Sequence, residues 1–175
     1  PTASEVSAFV TCGDNDAAIM ARIREIVATE EPISRAFLKK RVLASFGIQK
    51  SGSKVESRLD ALIDGCALNR DRVMGTDYFY KNPKSLMIGK FRTETSPALR
   101  RNEDDFTVYE IVSLVKGALE ERVALYMDEL TALLVGVFPD LKAGERFQSF
   151  LRDCIAYGEE KGLFVRSVSD RISLA

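Results

Sequence analysis

Lys50, Lys54 and Arg58 recur at every fourth position of KSGSKVESRLDALI, residues 50 to 63. On a helix this spacing puts three cations in one stripe, the arrangement that meets the phosphates of a nucleic-acid backbone. The stripe belongs to a longer basic stretch. From Arg35 to Arg58 there are seven cations (Arg35, Lys39, Lys40, Arg41, Lys50, Lys54, Arg58) against one anion, Glu56, a local balance of +6. Arg70 and Arg72 would extend the track, as would Lys84, Lys90, Arg92, Arg100 and Arg101. The candidate phosphate contacts are Lys39, Lys50, Ser51, Lys54, Arg58, Arg70 and Arg72. Contacts of this kind give affinity rather than sequence preference. The competing reading is that these cations only solvate the outer faces of helices.

The elements that would carry them follow from apolar spacing. Asp14 or Asp16 is placed to cap a first helix with the apolar face Ile19, Ile23, Ile26 and Val27, which Glu30-Glu31-Pro32 ends. Ser34 can cap a second helix, where Phe37, Leu38, Val42 and Leu43 recur until Gly47. Ser53 and Glu56 have capping-box spacing ahead of a third helix, with Val55, Leu59, Leu62 and Ile63 facing inward before Gly65. The period then changes. Ala67 to Val73 and Tyr78-Phe79-Tyr80, around a turn at Met74-Gly75-Thr76-Asp77, read as a β-hairpin. A helix-turn-helix of this order presents its third helix to a duplex major groove.

The chain builds this pattern twice. Sliding residues 19 to 63 onto 111 to 155 without a gap gives eight identities: Ile19/Ile111, Leu38/Leu130, Phe46/Phe138, Lys50/Lys142, Gly52/Gly144, Ser57/Ser149, Leu59/Leu151 and Ile63/Ile155. Ile33/Leu125, Val42/Leu134, Lys54/Arg146 and Val55/Phe147 are conservative matches. Apolar periodicity alone would align two helical hairpins, but it does not account for the shared Lys-x-Gly in a loop. The second copy ends in its own hairpin, Leu163 to Val168 and Ile172 to Leu174 around Ser169-Asp170-Arg171. The fold class expected is therefore mainly α with small β-hairpins, as tandem winged helix-turn-helix domains. The first spans 1–82 with a tail at 1–13, a polar linker follows at 83–108, and the second spans 109–175.

The second copy carries eleven acids and eight bases from Tyr109 to Ala175, with Glu120-Glu121 and Asp128-Glu129 near the face where the first copy is basic. Packing is the better expectation for it, with Phe147, Phe150 and Tyr157 as apolar contacts if the core does not take them.

Composition limits the alternatives. The net charge of -1 gives no global basic footprint, so any nucleic-acid reading rests on local clustering. The three cysteines, 12, 66 and 154, are far apart, and there is no histidine, so neither a disulfide framework nor a zinc site is supported. A reducing, cytoplasmic setting is expected. No apolar run approaches the roughly 20 residues of a membrane-spanning helix. There is no GxxxxGK[ST] loop or GxSxG elbow, and Glu103-Asp104-Asp105 reads as solvated linker rather than a magnesium site. The chain itself is expected to be non-catalytic, with no cofactor, metal or small-molecule substrate. Its start without methionine reads as part of a longer polypeptide.

The stretch IREIVATEEPISRAFLKKRVLASFGIQKSGSKVESRLDALI resembles a bacterial domain-of-unknown-function family found near the C-terminus of large superfamily-1 DNA/RNA helicase-related proteins. The residues that carry the resemblance are Glu31, Pro32, Ile33, Arg41, Val42, Phe46, Gly47, Lys50, Ser51, Gly52 and Lys54. It covers about a third of the chain. The resemblance implies a winged-helix-like accessory module on a helicase or nuclease polypeptide, without assigning an activity to the module. Two functions follow as expectations. In one, the module binds DNA, as duplex and with low specificity, through the first winged helix. In the other, it is a scaffold that docks to the remainder of the parent polypeptide or to a partner protein.

Overall fold

The computed structural model describes residues 13–86, 102, 105–138 and 142–175. The chain divides into two compact units, 1–86 and 87–175. The described residues are mainly helical, with small antiparallel sheets.

In the first unit a short 3-10 turn, Gly13–Asn15, leads into α1, Asp16–Glu30. Its buried residues are Ile19, Ile23, Ile26 and Val27, the face that the apolar spacing predicts. Neither Asp14 nor Asp16 caps it. Asn15 holds the N-cap position without a side-chain cap bond, which corrects the expected cap. Pro32 forces the preceding Glu31 into an extended conformation, so the helix stops at Glu30. β1, Ile33–Ser34, follows, and Ser34 Oγ then accepts the Phe37 N–H at 3.2 Å to start α2, Arg35–Ser45. Gly47, at φ +75°, turns the chain out of that helix.

The third helix, α3, is Ser53–Gly65, with Val55, Leu59, Leu62 and Ile63 buried. The expected Ser53/Glu56 capping box does not form. Gly52 is the N-cap, and Glu56 instead takes hydrogen bonds from Ser51 Oγ and an ion pair from Lys39 on α2, stronger partners than a backbone amide. β2, Asn69–Val73, and β3, Thr76–Tyr80, close the unit as a hairpin. Its two turn residues, Met74 and Gly75, both have positive φ (52° and 77°), the geometry that suits the strand twist. β1 adds to the far edge of β3, giving the order β1-β3-β2 with Ile33 opposite Phe79. The core joins all these elements through Ile19, Ile23, Phe37, Leu38, Leu59, Ile63 and Phe79. Each such side chain contributes roughly 1.5–3 kcal/mol by leaving water.

The second unit repeats the order with α4, Val108–Glu121, α5, Met127–Val137, α6, Glu145–Glu160, β4, Phe164–Arg166, and β5, Ile172–Leu174. Each helix starts 92 residues after its counterpart: Asp16 and Val108, Arg35 and Met127, Ser53 and Glu145. The short first strand has a counterpart too. Leu125 bridges Ile172 through paired backbone hydrogen bonds of 2.9 and 2.8 Å. Thr107 caps α4 from both sides: its Oγ1 accepts the Glu110 N–H at 3.1 Å, and the Glu110 carboxylate accepts the Thr107 N–H at 3.0 Å. Phe106 and Thr107 are buried, inside the stretch assigned to the linker from sequence, and the Phe106 ring lies edge-on to Phe138 at 4.6 Å. Phe147 belongs to the core, Phe150 is half-buried, and the ring of Tyr157 stands against Tyr109 at 6.4 Å. The linker cations Lys90, Arg92, Arg100 and Arg101, the acids Glu103 and Asp104, and the tail with Cys12 lie outside the described residues.

Candidate nucleic-acid interface

The candidate cations separate into two groups once their partners are known. Helix α3 carries Lys54 and Arg58 along one flank. At about 100° per residue, Glu56 and Asp60 fall on the other flank, and Asp64 lies on the outward face among the exposed Ser53, Ser57 and Ala61. The acidic flank faces α2 and the hairpin. Arg35, at the start of α2, reaches Asp64 at 2.6 Å, Asp60 at 3.4 Å and, on β3, Asp77 at 3.3 Å, and its guanidinium stands 5.0 Å above the Phe79 ring. One turn along α2, Lys39 pairs with Glu56 at 2.7 Å and Asp60 at 3.2 Å. Arg70 joins from β2 at 3.6 Å from Asp77.

The network fixes protonation as well as position. Burial disfavours the charged forms of Arg35 and Lys39, yet the hydrogen bonds and charges of their carboxylate partners outweigh it and hold both pKa values above the ordinary range. Burial likewise pushes Glu56 up, but hydrogen bonds from Lys39 and Ser51 and the Lys39 charge hold its carboxyl below the usual value.

Among the seven residues singled out from sequence, Lys39 and Arg70 are therefore committed to carboxylates, and Ser51 to Glu56. Arg58 is committed as well, to Asp16 at the start of α1. Lys50 and Lys54 are exposed at the entrance to α3, and Arg72 is exposed on β2. These three have no hydrogen-bond or ion-pair partner among the described residues. Lys84, in the 3-10 turn Pro83–Leu86, is exposed in the same way. Arg41 is held elsewhere, at 2.6 Å from Glu30 of α1.

Sequence reasoning missed Asp60, Asp64 and Asp77 as partners, although Glu56, Asp60 and Asp64 repeat at the same interval as the cations. The basic stretch ends at Arg58, two residues before the next acid, Asp60. No group of three or more His, Cys, Asp or Glu residues that could hold a metal ion occurs among the described residues. No helix among them is long and apolar enough to cross a membrane. Burial pushes the thiols of Cys66 and Cys154 up, so neither is an activated nucleophile.

No curated protein and no solved structure matches the chain. Residues 13–57, which run from the turn before α1 into the first residues of α3 and include Lys39, Lys50, Ser51 and Lys54, match the model of a protein family of unknown function, DUF3320.

Proposed function

We propose that the chain is a non-catalytic accessory module that contacts a nucleic-acid backbone, with duplex DNA as the expected form, through its first unit read as a winged helix. The observation that carries this reading is the exposure of Lys50 and Lys54 at the entrance to α3, and of Arg72 on β2, with no side-chain partner among the described residues, while Arg35, Lys39, Arg58 and Arg70 are each paired with carboxylates. The resemblance of residues around Pro32, Gly47 and Lys50 to a domain-of-unknown-function family found near the C-terminus of helicase-related proteins supports placing the module on such a polypeptide. Binding is weak, salt-dependent and largely indifferent to sequence, because charge without base-edge contacts sets affinity alone. A Lys50/Lys54/Arg72 triple alanine is expected to lose binding to a labelled duplex at low salt in an electrophoretic titration. Retention of wild-type affinity would refute the proposal.

A second reading, an interaction scaffold, draws on the second unit. A cleft of about 630 Å³ between α4 and α5 is lined by Leu114, Leu133, Leu134 and Val137, among others, and Val137 is 44% exposed. Under this reading the triple alanine binds its partner protein normally, and the wild type has no affinity for duplex at moderate salt.

A further inference from the structure

An α-helix with its side chains is about as wide as the major groove, roughly 10–12 Å against 12 Å. Once seated there, it presents its two flanks to the two phosphate walls. The flanks of α3 are unlike. One carries Lys54 with Lys50 just before it, while the other carries Glu56 and Asp60, with Asp64 beside them on the outward face; these three carboxylate side chains remain 36%, 40% and 59% exposed despite their ion pairs. Counting the partners does not reverse the sign: Arg35, Lys39 and Arg70 stand against Glu56, Asp60, Asp64 and Asp77, three cations against four anions. Between the flanks, Ser53, Ser57, Ala61 and the Arg35-paired Asp64 offer no long side chain that could reach a base edge.

We infer that α3 contacts the phosphates of one nucleic-acid strand only, along its Lys50/Lys54 flank, and that its ligand class is a single phosphodiester strand, whether free or as one wall of a duplex. The inference rests on the nucleic-acid reading above and narrows it. The carboxylate flank repels the second strand, so the helix lies against a backbone from outside instead of entering a groove. Asp60 and Asp64 thereby act as specificity determinants, since they lower the affinity for a ligand with two closely spaced phosphate rows and leave a single row unaffected.

The test uses the full chain, titrated at low salt with a labelled single strand and the matched duplex. The wild type is expected to bind the two within about threefold of each other, since it draws on one phosphate row in both. Asp60→Asn with Asp64→Asn keeps the side-chain shapes, removes two anions, and partly releases Arg35 and Lys39. It is expected to raise duplex affinity by about tenfold relative to single-strand affinity. A wild type that prefers duplex by more than tenfold, or a double variant that shifts both ligands equally, overturns the inference while the nucleic-acid reading stands. A wild type that binds neither ligand removes that reading and the inference together. Should the double variant fail to fold by circular dichroism, Asp64→Asn alone, at the most exposed of the three acids, makes the same comparison with a smaller shift.

Discussion

The two units solve the same packing problem with different chemistry. Where α1 and α2 run together in the first, Arg41 reaches Glu30 at 2.6 Å, with only 17% and 13% of their side chains exposed. The positions 92 residues on are Leu133 and Arg122, and Leu133 helps line the cleft between α4 and α5. Phe37, fully buried in the first unit, corresponds to Glu129, which is exposed and accepts the Tyr126 N–H at 2.8 Å. Inward positions such as Leu38/Leu130, Leu59/Leu151 and Ile63/Ile155 are identical, and every member of these pairs is buried. The two units thus share a small set of identical inward residues, while other equivalent positions differ in kind, an ion pair against Leu133 and Arg122 and a buried phenylalanine against an exposed carboxylate.

The comparison is most sharply tested in the cores. Leu59→Ala and Leu151→Ala are each expected to cost about 3 kcal/mol in chemical denaturation, as fully buried leucines do. If one costs far less than the other, the two positions are not equivalent and the shared architecture is in error.

Next in size is the exchange of unlike partners. Cys66 in the first unit corresponds to Gly158 in the second, where an added Cβ would lie 2.3 Å from the Phe164 ring. Gly158→Cys is expected to destabilise by about 2 kcal/mol through overpacking, measurable as a lower denaturation midpoint. A neutral result would mean that Phe164 moves aside freely.

The helix entrances differ as well, since α4 begins with the reciprocal Thr107/Glu110 cap, both residues being buried, while α1 has no side-chain cap bond from Asn15. Thr107→Ala should lower stability by about 1.5 kcal/mol, with the loss confined to amides at the start of α4 in hydrogen exchange.

The smallest expected effect is a pH dependence particular to the first unit. The Glu56 carboxyl is held below its usual value of 4.5 in the folded state, so the folded protein binds fewer protons there than the unfolded chain. Its contribution is complete at neutral pH and disappears as the pH falls through and below 4.5. Glu56→Gln should flatten this part of the acid limb, and a limb unchanged by the substitution would show that the Lys39 and Ser51 contacts do not persist in solution.

The features legible in the sequence were those with a period. The inward residues of α1, α2 and α3 announce themselves at helical spacing, Ser34 has the chemistry of a cap ahead of Phe37, and Met74-Gly75 marks the turn, although Thr76 and Asp77, expected in that turn, belong to β3. The acid partners of the cations were written just as regularly, but pairing joins different elements, and Asp77 comes near Arg35 only after the hairpin folds back. Glu56 was misread because Ser53 stands at the right interval for a cap while Lys39, seventeen residues earlier in the sequence, supplies the stronger partner. β1 escaped notice because two residues carry no alternation. The close approach of Gly158 to Phe164 had no local signature at all.

That two-residue strand gives the hairpin an anchor. Ile33 and Ser34 fasten β3 to the connector between the first two helices, and Leu125 does the same for Ile172. A load applied to the hairpin tip therefore reaches the start of the following helix through these backbone pairs and, in the first unit, through the contact of Arg35 with Asp77 as well. The amides of Ile33, Phe79, Leu125 and Ile172 should accordingly open together with their hairpins, so that each hairpin behaves as a lever hinged at the helix pair and not as a loose flap.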